Sequence, residues 1–401
     1  MTKALVTGLG VASPHGLDPD TMFAALLRGE SAVRPVHEGE LAKPAAAATV
    51  AFDESRWFTK LQLAGVDRVS QLAVAAADMA LHDAGGHGGA DAERIGVYAG
   101  CGMGGAAALE AAYRSNGRVP PLTIPAFMPN AAAGHVAMRQ GVKGPVITYS
   151  VACASSAVAI AEAAKAVQRG EVDVAIAGGS EALIVPGVVL AWQAMQTLAP
   201  FAPGEHAGAC RPFATDRGGF VLGEGAAFVV IESAARAAAR GARAYAEIAG
   251  WGISCDATHL TKPDAAGQAR ALRQALKQAG LSAADVGYCN AHGTATKIGD
   301  VVESEALALA FGDALPQLRV SSTKALHGHL LGAAGALEAV ITILALHRRQ
   351  LPPNAHCREP DPACKLNLVL GAAAEAPQLQ AAISSSFAFG GTNAALLFRR
   401  T

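Results

Sequence analysis

Charged and aromatic side chains are both scarce in this sequence of 401 residues. Charged residues make up 16% of the chain and aromatic residues 5%, whereas hydrophobic residues reach 51%. An ordinary soluble domain carries roughly 25% charged residues. A chain of this length and composition has room for two to three domains and can bury a large core.

An excess of charge of either sign is missing as well. The 32 lysines and arginines nearly balance the 33 aspartates and glutamates, which leaves a formal net charge of −1. Proteins that bind nucleic acids or anionic membranes rely on a basic surface or a basic segment. We therefore expect neither nucleic acid nor membrane among the partners.

Targeting and membrane-spanning segments are also absent from the sequence pattern. Residues 1–8 lack the long apolar stretch and the small-residue cleavage site of a secretory signal. The apolar run 339–346 is bounded by Glu338 and His347 and falls far short of the roughly 20 residues that span a bilayer. These features predict a buried helix at this run and a cytoplasmic protein.

Cysteine is present without the paired spacing of a disulfide framework. The seven cysteines form an odd set, and a chain of this size does not need disulfides for stability. We expect all of them to be reduced.

The recurring pattern is a short apolar run that ends in glycine and leads into an alanine-rich segment of helical character. Such runs include residues 4–8, 95–100 and 172–179. This alternation predicts an α/β fold in which helices cover the sheets. The pattern starts again after the basic, alanine-rich segment 234–243, which divides the chain into residues 1–243 and 244–401 and suggests a duplication.

Cys153 is the most informative cysteine, because it lies where a predicted strand passes into the predicted helix 156–169. Free N–H groups and the positive end of the dipole at a helix N-terminus favour a thiolate, and they lower its pKa from roughly 8.5. This position predicts a nucleophile. An isolated cysteine is more commonly a small buried core residue, so its neighbours must decide between the two.

Two further segments supply such neighbours. His292 follows a predicted strand in residues 290–296, and Lys324 and His329 follow the next one in residues 322–329. Ligand sites of α/β folds assemble at strand ends. Each histidine alone is more often structural, but a cysteine, two histidines and a lysine at glycine-flanked strand ends together predict one active site.

With these motifs the chain resembles the thiolase-like superfamily, and within it the type II elongating β-ketoacyl-acyl carrier protein synthases of the Cys-His-His class. The matching motifs are residues 152–155 (ACAS), 292–296 (HGTAT), 322–324 (STK), 328–329 (GH), 332–335 (GAAG), 387–393 (FAFGGTN), 211–213 (RPF) and 219–225 (GFVLGEG). They extend over nearly the whole chain in the family's order. The resemblance implies a thiolase-like fold, in which duplicated βαβαβ halves form a layered αβαβα sandwich.

The resemblance also implies a two-stage reaction. Cys153 would attack the thioester of an acyl carrier protein and hold the acyl group. His292 and His329 would then donate hydrogen bonds to the thioester oxygen of malonyl-carrier protein as carbon dioxide leaves. The resulting carbanion would attack the acyl group, whose oxyanion the backbone N–H groups of Cys153 and Phe389 would stabilise.

Other positions match the family's supporting residues. Lys324 would organise the histidines and pair with Glu338. Thr294 and Thr296 would hydrogen-bond the phosphopantetheine arm, although lone threonines also occur as turn residues. Phe389 would form the gate between the nucleophile and the acyl tunnel.

The remaining predictions concern the acyl pocket, the docking surface and one pair of acids. Met103 would line the acyl pocket, or it would simply fill the core. Arg68 and Arg211 are weak candidates for docking the acidic carrier protein, and solvated surface roles fit either of them equally. Asp300 with Glu303 reads as a helix-capping arrangement.

Two departures from the family pattern bear on substrate choice. Ala388 stands where many relatives have glycine, which would stiffen the gate loop. Residues 129–135 are about one helical turn shorter than in housekeeping fatty-acid enzymes. Our hypothesis is that the small residues there admit a long, rigid or aryl-bearing chain, as in polyene-type polyketide systems.

No bound cofactor is expected. Residues 100–105 satisfy the glycine pattern of a nucleotide site, but no acid follows between Glu110 and Glu162, where such a site needs one. The cluster of His356, Cys357 and Cys364 lacks a fourth metal ligand at useful spacing. We predict no metal and no nucleotide, with substrates carried on the phosphopantetheine of acyl carrier protein.

The expected partners are acyl carrier protein and either a second copy of the chain or a ketosynthase-like chain-length factor. One alternative is a catalytically silent, pocket-shaping subunit, but such subunits lose the cysteine that this chain keeps. A thiolase acting on coenzyme A would need a second cysteine in the loop 387–393, which has none. Chain-starting synthases pair cysteine with one histidine and an asparagine, whereas two histidine motifs occur here.

Overall fold

The computed structural model describes residues 2–401; residue 1, the first of the predicted N-terminal half, lies outside the described residues. The strands are β1 (Ala4–Ala12), β2 (Val33–Val36), β3 (Ala45–Ala48), β4 (Ile95–Gly100), β5 (Val146–Tyr149), β6 (Val174–Glu181), β7 (Leu222–Gly223), β8 (Gly225–Ser233), β9 (Ala246–Cys255), β10 (Tyr288–Asn290), β11 (Arg319–Ser321), β12 (Gln350–Leu351), β13 (Asn367–Leu368), β14 (Ala374–Glu375), β15 (Ala381–Phe387) and β16 (Thr392–Arg399). The helices are α1 (Pro19–Leu27), α2 (Lys60–Leu63), α3 (Arg68–Asp83), α4 (Ala106–Arg114), α5 (Thr123–Phe127), α6 (Ala131–Gln140), α7 (Ser155–Gln168), α8 (Pro186–Ala194), α9 (Ala234–Ala239), α10 (Ala265–Ala279), α11 (Lys297–Phe311), α12 (Lys324–His327) and α13 (Ala334–Arg348).

The two halves of the chain repeat one strand-pairing pattern. In the first half β1 pairs with β8 and β8 with β6, both antiparallel, and β6 pairs with β4 and β4 with β5, both parallel. In the second half β9 pairs with β16 and β16 with β15, both antiparallel, and β15 pairs with β10 and β10 with β11, both parallel. This repetition is the duplication that the sequence suggested. The boundary between residues 243 and 244 falls between α9 and β9 and stays a prediction.

The sheets of the two halves are joined along one edge. Ala4, Leu5 and Val6 of β1 pair antiparallel with Ile248, Glu247 and Ala246 of β9. The result is a continuous sheet of eleven strands in the order β13-β11-β10-β15-β16-β9-β1-β8-β6-β4-β5. The two predicted layers of strands are therefore hydrogen-bonded to each other.

Helices complete the layers on both faces of this sheet. Helices α7 and α13 pack against each other and contact strands of both halves. Helix α3 covers β1 and β8 with α6 beside it, and α10 covers β9 and β16 with α11 beside it. Asp264 caps the start of α10 by accepting the N–H of Gly267, and Gly280 ends the helix in a left-handed conformation. The predicted αβαβα sandwich is confirmed.

The central position of α13 explains its hydrophobicity. The window Leu331–Arg348 is long and apolar enough to cross a membrane by length and composition alone, but 89% of it is buried inside the protein. A core helix passes the same test as a membrane span. The prediction of a buried helix over residues 339–346 is confirmed.

Close contact between β9 and α10 depends on glycine, and it gives a test of the packing. A Cβ atom on Gly252 would lie 1.9 Å from the carbonyl oxygen of Ala271. We expect Gly252→Ala to lower the free energy of unfolding by about 1–3 kcal/mol, because strand and helix must move apart. Urea denaturation measures this loss.

Gly208→Ala is the matched control, since its Cβ would lie 3.6 Å from Nδ1 of His356, in ordinary contact. Its stability should stay within about 0.5 kcal/mol of the wild type. Equal stability of the two variants would contradict the close approach of β9 and α10.

Candidate active site

Cys153 lies in a tight turn between β5 and α7. The turn spans Ala152–Ala154, and Ala152 has a left-handed backbone conformation with φ of 49°. The hydroxyl of Ser155 supports the turn, since it accepts the N–H of Val151 at 2.9 Å and donates to the carbonyl of Ala152 at 2.6 Å. Backbone strain of this kind persists only where the surroundings enforce it. The turn places Cys153 in the lining of a cavity.

Both predicted histidines lie beside this thiol. The Nε2 atom of His329 is 3.1 Å from Sγ of Cys153, and the rings of His292 and His329 are 5.4 Å apart at 82°. One donor atom from each of the three residues lies within 4.8 Å of the others, and all three side chains are buried. The structure thus brings together three residues that are far apart in sequence. Such donors are also able to hold a metal ion, so the absence of metal stays a prediction.

The hydrogen bonds of His329 determine which ring nitrogen carries the proton. The backbone N–H of Leu331 donates to Nδ1 at 3.2 Å, so a neutral ring carries its proton on Nε2, which faces Cys153. Burial, together with the positive charge of Lys324, lowers the pKa of His329 well below its usual value. The same two causes lower the pKa of His292. The site therefore offers two neutral imidazoles.

Two buried acids near His292 accept hydrogen bonds from backbone N–H groups; Asp300 accepts that of Phe213 at 2.7 Å. Glu303 accepts the N–H groups of His292 and Gly293 at 2.8 and 2.6 Å, and Asp300 is fully buried as well. The cap of α11 is Thr296, whose hydroxyl accepts the N–H of Gly299. The prediction that Asp300 and Glu303 form a helix cap was wrong, because these side chains point into the core.

Lys324 and Glu338 form an ion pair in the protein interior. Both side chains have no exposed surface, and the Lys324 ammonium contacts the Glu338 carboxylate directly. Burial raises the pKa of Glu338 to about 7, while Lys324 acts in the opposite direction. The predicted pairing of these residues is confirmed.

A single cavity of about 710 Å³ opens in front of the thiol. Its lining includes Cys153, Trp192, His292, Thr294, Thr296, His329, Leu331 and Phe389. The hydroxyls of Thr294 and Thr296 lie 3.1 Å apart. The predicted nucleophile, both histidines, the pantetheine-binding threonines and the gate residue therefore share one space.

Phe389 stands at this cavity in a loop that is held on both sides. The N–H of Ala388 donates to Thr392, and the N–H of Gly390 donates to the carbonyl of Leu260 at 2.7 Å. The Phe389 ring is 38% exposed, and its centre lies 6.2 Å from that of Trp192. This exposure suits a side chain that moves, and the gating role stays a prediction.

The predicted acyl-pocket residues lie outside this space. Met103 is 48% exposed and does not line the cavity at Cys153. Residues 130–135 lie on α6 and its start, and Asn130, Ala131, Gly134 and His135 border a separate surface groove with Leu122 and Met128. The acyl-pocket role of Met103 and the substrate hypothesis for 129–135 remain predictions.

The two arginines suggested for docking already have partners in this chain. Arg68 donates twice to Glu224. Arg211 donates to the carbonyl of Gly208 and to Asp216. Neither guanidinium is a free cation, and docking by them remains a prediction.

The pKa of Cys153 departs from the expectation. Burial raises the pKa of its thiol to about 12, with Lys324 acting in the opposite direction. A helix terminus contributes about 0.3–1 kcal/mol, less than the roughly 1.4 kcal/mol of a single pKa unit. The predicted lowering of the pKa was wrong, because the loss of hydration outweighs the helix dipole.

Family models match the chain on both sides of the predicted boundary. Residues 1–237 match the beta-ketoacyl synthase N-terminal domain, and residues 245–358 match the beta-ketoacyl synthase C-terminal domain. The chain belongs to the β-ketoacyl synthase family. It is a condensing enzyme of the acyltransferase class.

Individual relatives agree along the full length of this ketosynthase. Nodulation protein E of Rhizobium sp. (strain N33) is 41% identical and covers 99% of both chains. The 3-oxoacyl-[acyl-carrier-protein] synthase 2 of Rhizobium meliloti (strain 1021) is 39% identical over 100% of this chain and 99% of its own.

Solved ketosynthases have the same architecture. A beta-ketoacyl synthase from Burkholderia phymatum STM815 is 36% identical with a TM-score of 0.93, covering 100% of both chains. The ishigamide ketosynthase/chain length factor is 32% identical with a TM-score of 0.92, covering 100% of this chain and 99% of that one. The AntDE:AntF complex, a type II polyketide acyl-carrier protein with its ketosynthase, is 28% identical with a TM-score of 0.91, covering 100% of both chains.

Sequence reasoning missed several residues of the ketosynthase site. Trp192 packs edge-on against Phe220 at 5.3 Å, and Phe220 packs edge-on against His329 at 5.5 Å. Only three tryptophans occur in the chain, so a tryptophan in the apolar segment around Trp192 could have indicated a residue of the site. Glu181, an acid at the end of an apolar strand, was another.

The buried ion pair predicts a large effect on stability. Glu338→Gln leaves the Lys324 ammonium buried without a countercharge. We expect the free energy of unfolding to fall by about 3–5 kcal/mol in urea denaturation. The double variant Lys324→Met with Glu338→Leu removes both charges and should regain most of this loss. Unchanged stability of Glu338→Gln would contradict the pairing.

The raised pKa of Cys153 predicts the pH dependence of its alkylation. At neutral pH the thiol is protonated, and the thiolate fraction rises about tenfold per pH unit below the pKa. The rate of iodoacetamide labelling at Cys153, followed by mass spectrometry, should climb from pH 7 to 9 without a plateau. The exposed Cys255 serves as internal reference for the reagent. A rate that is already constant at pH 7 would restore the expectation of a stabilised thiolate.

Proposed function

We propose that this enzyme elongates carrier-bound chains by decarboxylative Claisen condensation, in fatty-acid or type II polyketide synthesis. The observation that carries the proposal is the buried cluster of Cys153, His292 and His329, with Nε2 of His329 at 3.1 Å from the thiol sulfur. A nucleophile beside two neutral hydrogen-bond donors fits acyl transfer followed by enolate formation.

In the first stage Sγ of Cys153 forms a bond to the acyl carbonyl carbon, and the carrier's phosphopantetheine thiol leaves with a proton. This exchanges one thioester for another. The hydroxyls of Thr294 and Thr296 line the cavity where the phosphopantetheine arm would lie. Once Cys153 is acylated, its sulfur no longer accepts a hydrogen bond from Nε2 of His329. This N–H group is then free to bind the next substrate.

In the second stage malonyl-carrier protein loses carbon dioxide, and the electron pair of the broken bond forms an enolate. The N–H of His329 and that of His292 stabilise its oxygen without transferring a proton. The enolate carbon then attacks the acyl carbonyl, and the tetrahedral intermediate collapses with release of the Cys153 thiolate. The product is a β-ketoacyl chain two carbons longer on the carrier.

The second candidate is the ketosynthase subunit of a heterodimer with a chain-length factor. Two solved relatives, the ishigamide protein and the ketosynthase ApeO with ApeC from Xenorhabdus doucetiae, are described as such pairs. A non-catalytic pocket-shaping role is disfavoured, because Cys153, His292, His329 and Lys324 are all retained. We propose acyl carrier protein as substrate carrier and partner, in line with the AntDE:AntF relative, which is a ketosynthase in complex with its acyl-carrier protein. A cytoplasmic location stays a prediction.

An exposed strand edge supports a subunit interface. Strand β5 is the last strand of the eleven-stranded sheet, and its Val146 and Ile147 are each 41% exposed. Met138 on the neighbouring α6 is 70% exposed. Unpaired apolar edges are normally covered in native proteins. A second ketosynthase-like chain, paired along β5, is the occupant we propose.

Acyl transfer to Cys153 is the direct test of the function. After incubation with an acyl-carrier protein, we expect a mass gain on Cys153 equal to the acyl group, and none in Cys153→Ala. His329→Asn should still be acylated, but should release carbon dioxide from malonyl-carrier protein about 10²-fold more slowly. His347→Asn, remote from the cavity, is the control. An intact thiol without any adduct, across saturated, polyenoyl and aryl carriers, would contradict the mechanism.

The proposed interface predicts the oligomeric state. The wild-type enzyme should elute as a dimer in size-exclusion chromatography with light scattering, because pairing along β5 covers its apolar edge. Ile147→Lys should give a monomer, since it places a charge in that interface. A wild-type chain that is monomeric alone but forms a 1:1 complex with a ketosynthase-like partner would favour the heterodimer instead.

A further inference from the structure

Glu181 is a buried acid, close in the fold to the His329 loop, that the reaction described above does not use. It is the last residue of β6, and its side chain has no exposed surface. A buried carboxylate is costly unless hydrogen bonds or a countercharge compensate it. Its partners therefore indicate what it is for.

The partners of this carboxylate are backbone N–H groups from two different loops and the thiol of Cys101, which donates to Oε1 at 3.8 Å. Oε2 accepts from Gly102 at 2.8 Å and from Gly332 at 3.0 Å, and Oε1 accepts from Met103 at 3.3 Å. Gly102 and Met103 follow β4 of the first half, whereas Gly332 precedes α13 in the second half. One carboxylate thus ties together loops from both halves of the chain.

Two glycines leave the room that the Glu181 carboxylate occupies. A Cβ on Gly102 and a Cβ on Gly332 would each lie 2.5 Å from Oε2. Glycine at both positions lets the two backbones reach the same oxygen. Burial raises the pKa of Glu181 to about 7, and the three backbone N–H groups act in the opposite direction.

The contact with Gly332 connects Glu181 to His329. The residue before Gly332 is Leu331, whose N–H donates to Nδ1 of His329 and so keeps the ring proton on Nε2. Leu331 has a left-handed backbone with φ of 48°, which is unfavourable for a side chain of this kind. The turn needs an external constraint, and the Gly332 N–H bond to Glu181 supplies one at the very next residue.

We propose that Glu181 is a positioning residue, which holds the Leu331–Gly332 turn so that Nε2 of His329 presents its proton to the substrate. This rests on the proposed function, because His329 matters here as the donor to the malonyl thioester. Glu181 itself touches no reacting atom. Its loss should therefore impair decarboxylation more than acylation of Cys153.

The test compares two variants of Glu181 in the two half-reactions. Glu181→Gln keeps an oxygen able to accept from Gly102 and Gly332, whereas Glu181→Leu has a similar size and no acceptor. We expect Glu181→Leu to release carbon dioxide from malonyl-carrier protein about tenfold or more slowly than Glu181→Gln. Acylation of Cys153 by a short acyl-carrier protein should stay within about threefold of the wild type in both variants.

Glu232→Gln is the matched control. Glu232 on β8 is also buried, but it contacts Thr7, Arg236 and Arg240 and does not line the cavity at Cys153. It should lower stability without changing the ratio of the two half-reactions. If Glu181→Leu does not fold, Gly102→Ala tests the same contact, since its methyl group would lie 2.5 Å from Oε2.

The outcomes separate this inference from the proposed function. Selective loss of decarboxylation in Glu181→Leu, with recovery in Glu181→Gln, supports positioning of His329. Equal decarboxylation rates in the two variants, or equal losses in both half-reactions, would overturn it. A wild-type enzyme that neither acylates Cys153 nor releases carbon dioxide would instead overturn the proposed function.

Discussion

The buried positive charge of Lys324 is the interaction on which the rest of the active site depends. It adds to burial in keeping His292 and His329 neutral, so both rings remain hydrogen-bond donors and do not become charged acids. Glu338 offsets the ammonium and makes its burial tolerable. Burial is the larger cause, and the Lys324 charge acts in the same direction on both histidines.

The duplicated topology explains why the site forms where it does. In each half the parallel strands end on the same side, and the loops that follow them carry the reactive groups. The first half contributes Cys153 after β5, and the second contributes His292 after β10 and Lys324 after β11. Helices α7 and α13, packed together between the strand layers, bring these ends into contact. Neither half contains a complete reaction centre.

Much of this arrangement could be predicted from the sequence, because the reactive residues stand at glycine-flanked ends of short apolar runs. The nucleophile, both histidines and Lys324 followed from such local patterns, whereas the partner Glu338 and the αβαβα layering followed from the family resemblance. Burial did not, and for that reason the pKa of Cys153 was predicted in the wrong direction. Glu181 accepts backbone N–H groups from segments 78 to 151 residues away in the chain, and no local pattern reveals such partners. Glu303 accepts those of His292 and Gly293, which come from the loop before its own helix.

The pairing of β1 with β9 has a consequence for how the molecule holds together. The three paired residues, Ala4 to Val6, come almost at the start of the chain, and their partners begin the second repeat. Separating the repeats would leave β1 and β9 each with an unpaired edge. It would also remove the strands that cover one side of α7 and of α13. In this protein the hydrogen bonds between β1 and β9 make one sheet of the two repeats, so each repeat covers a strand edge of the other.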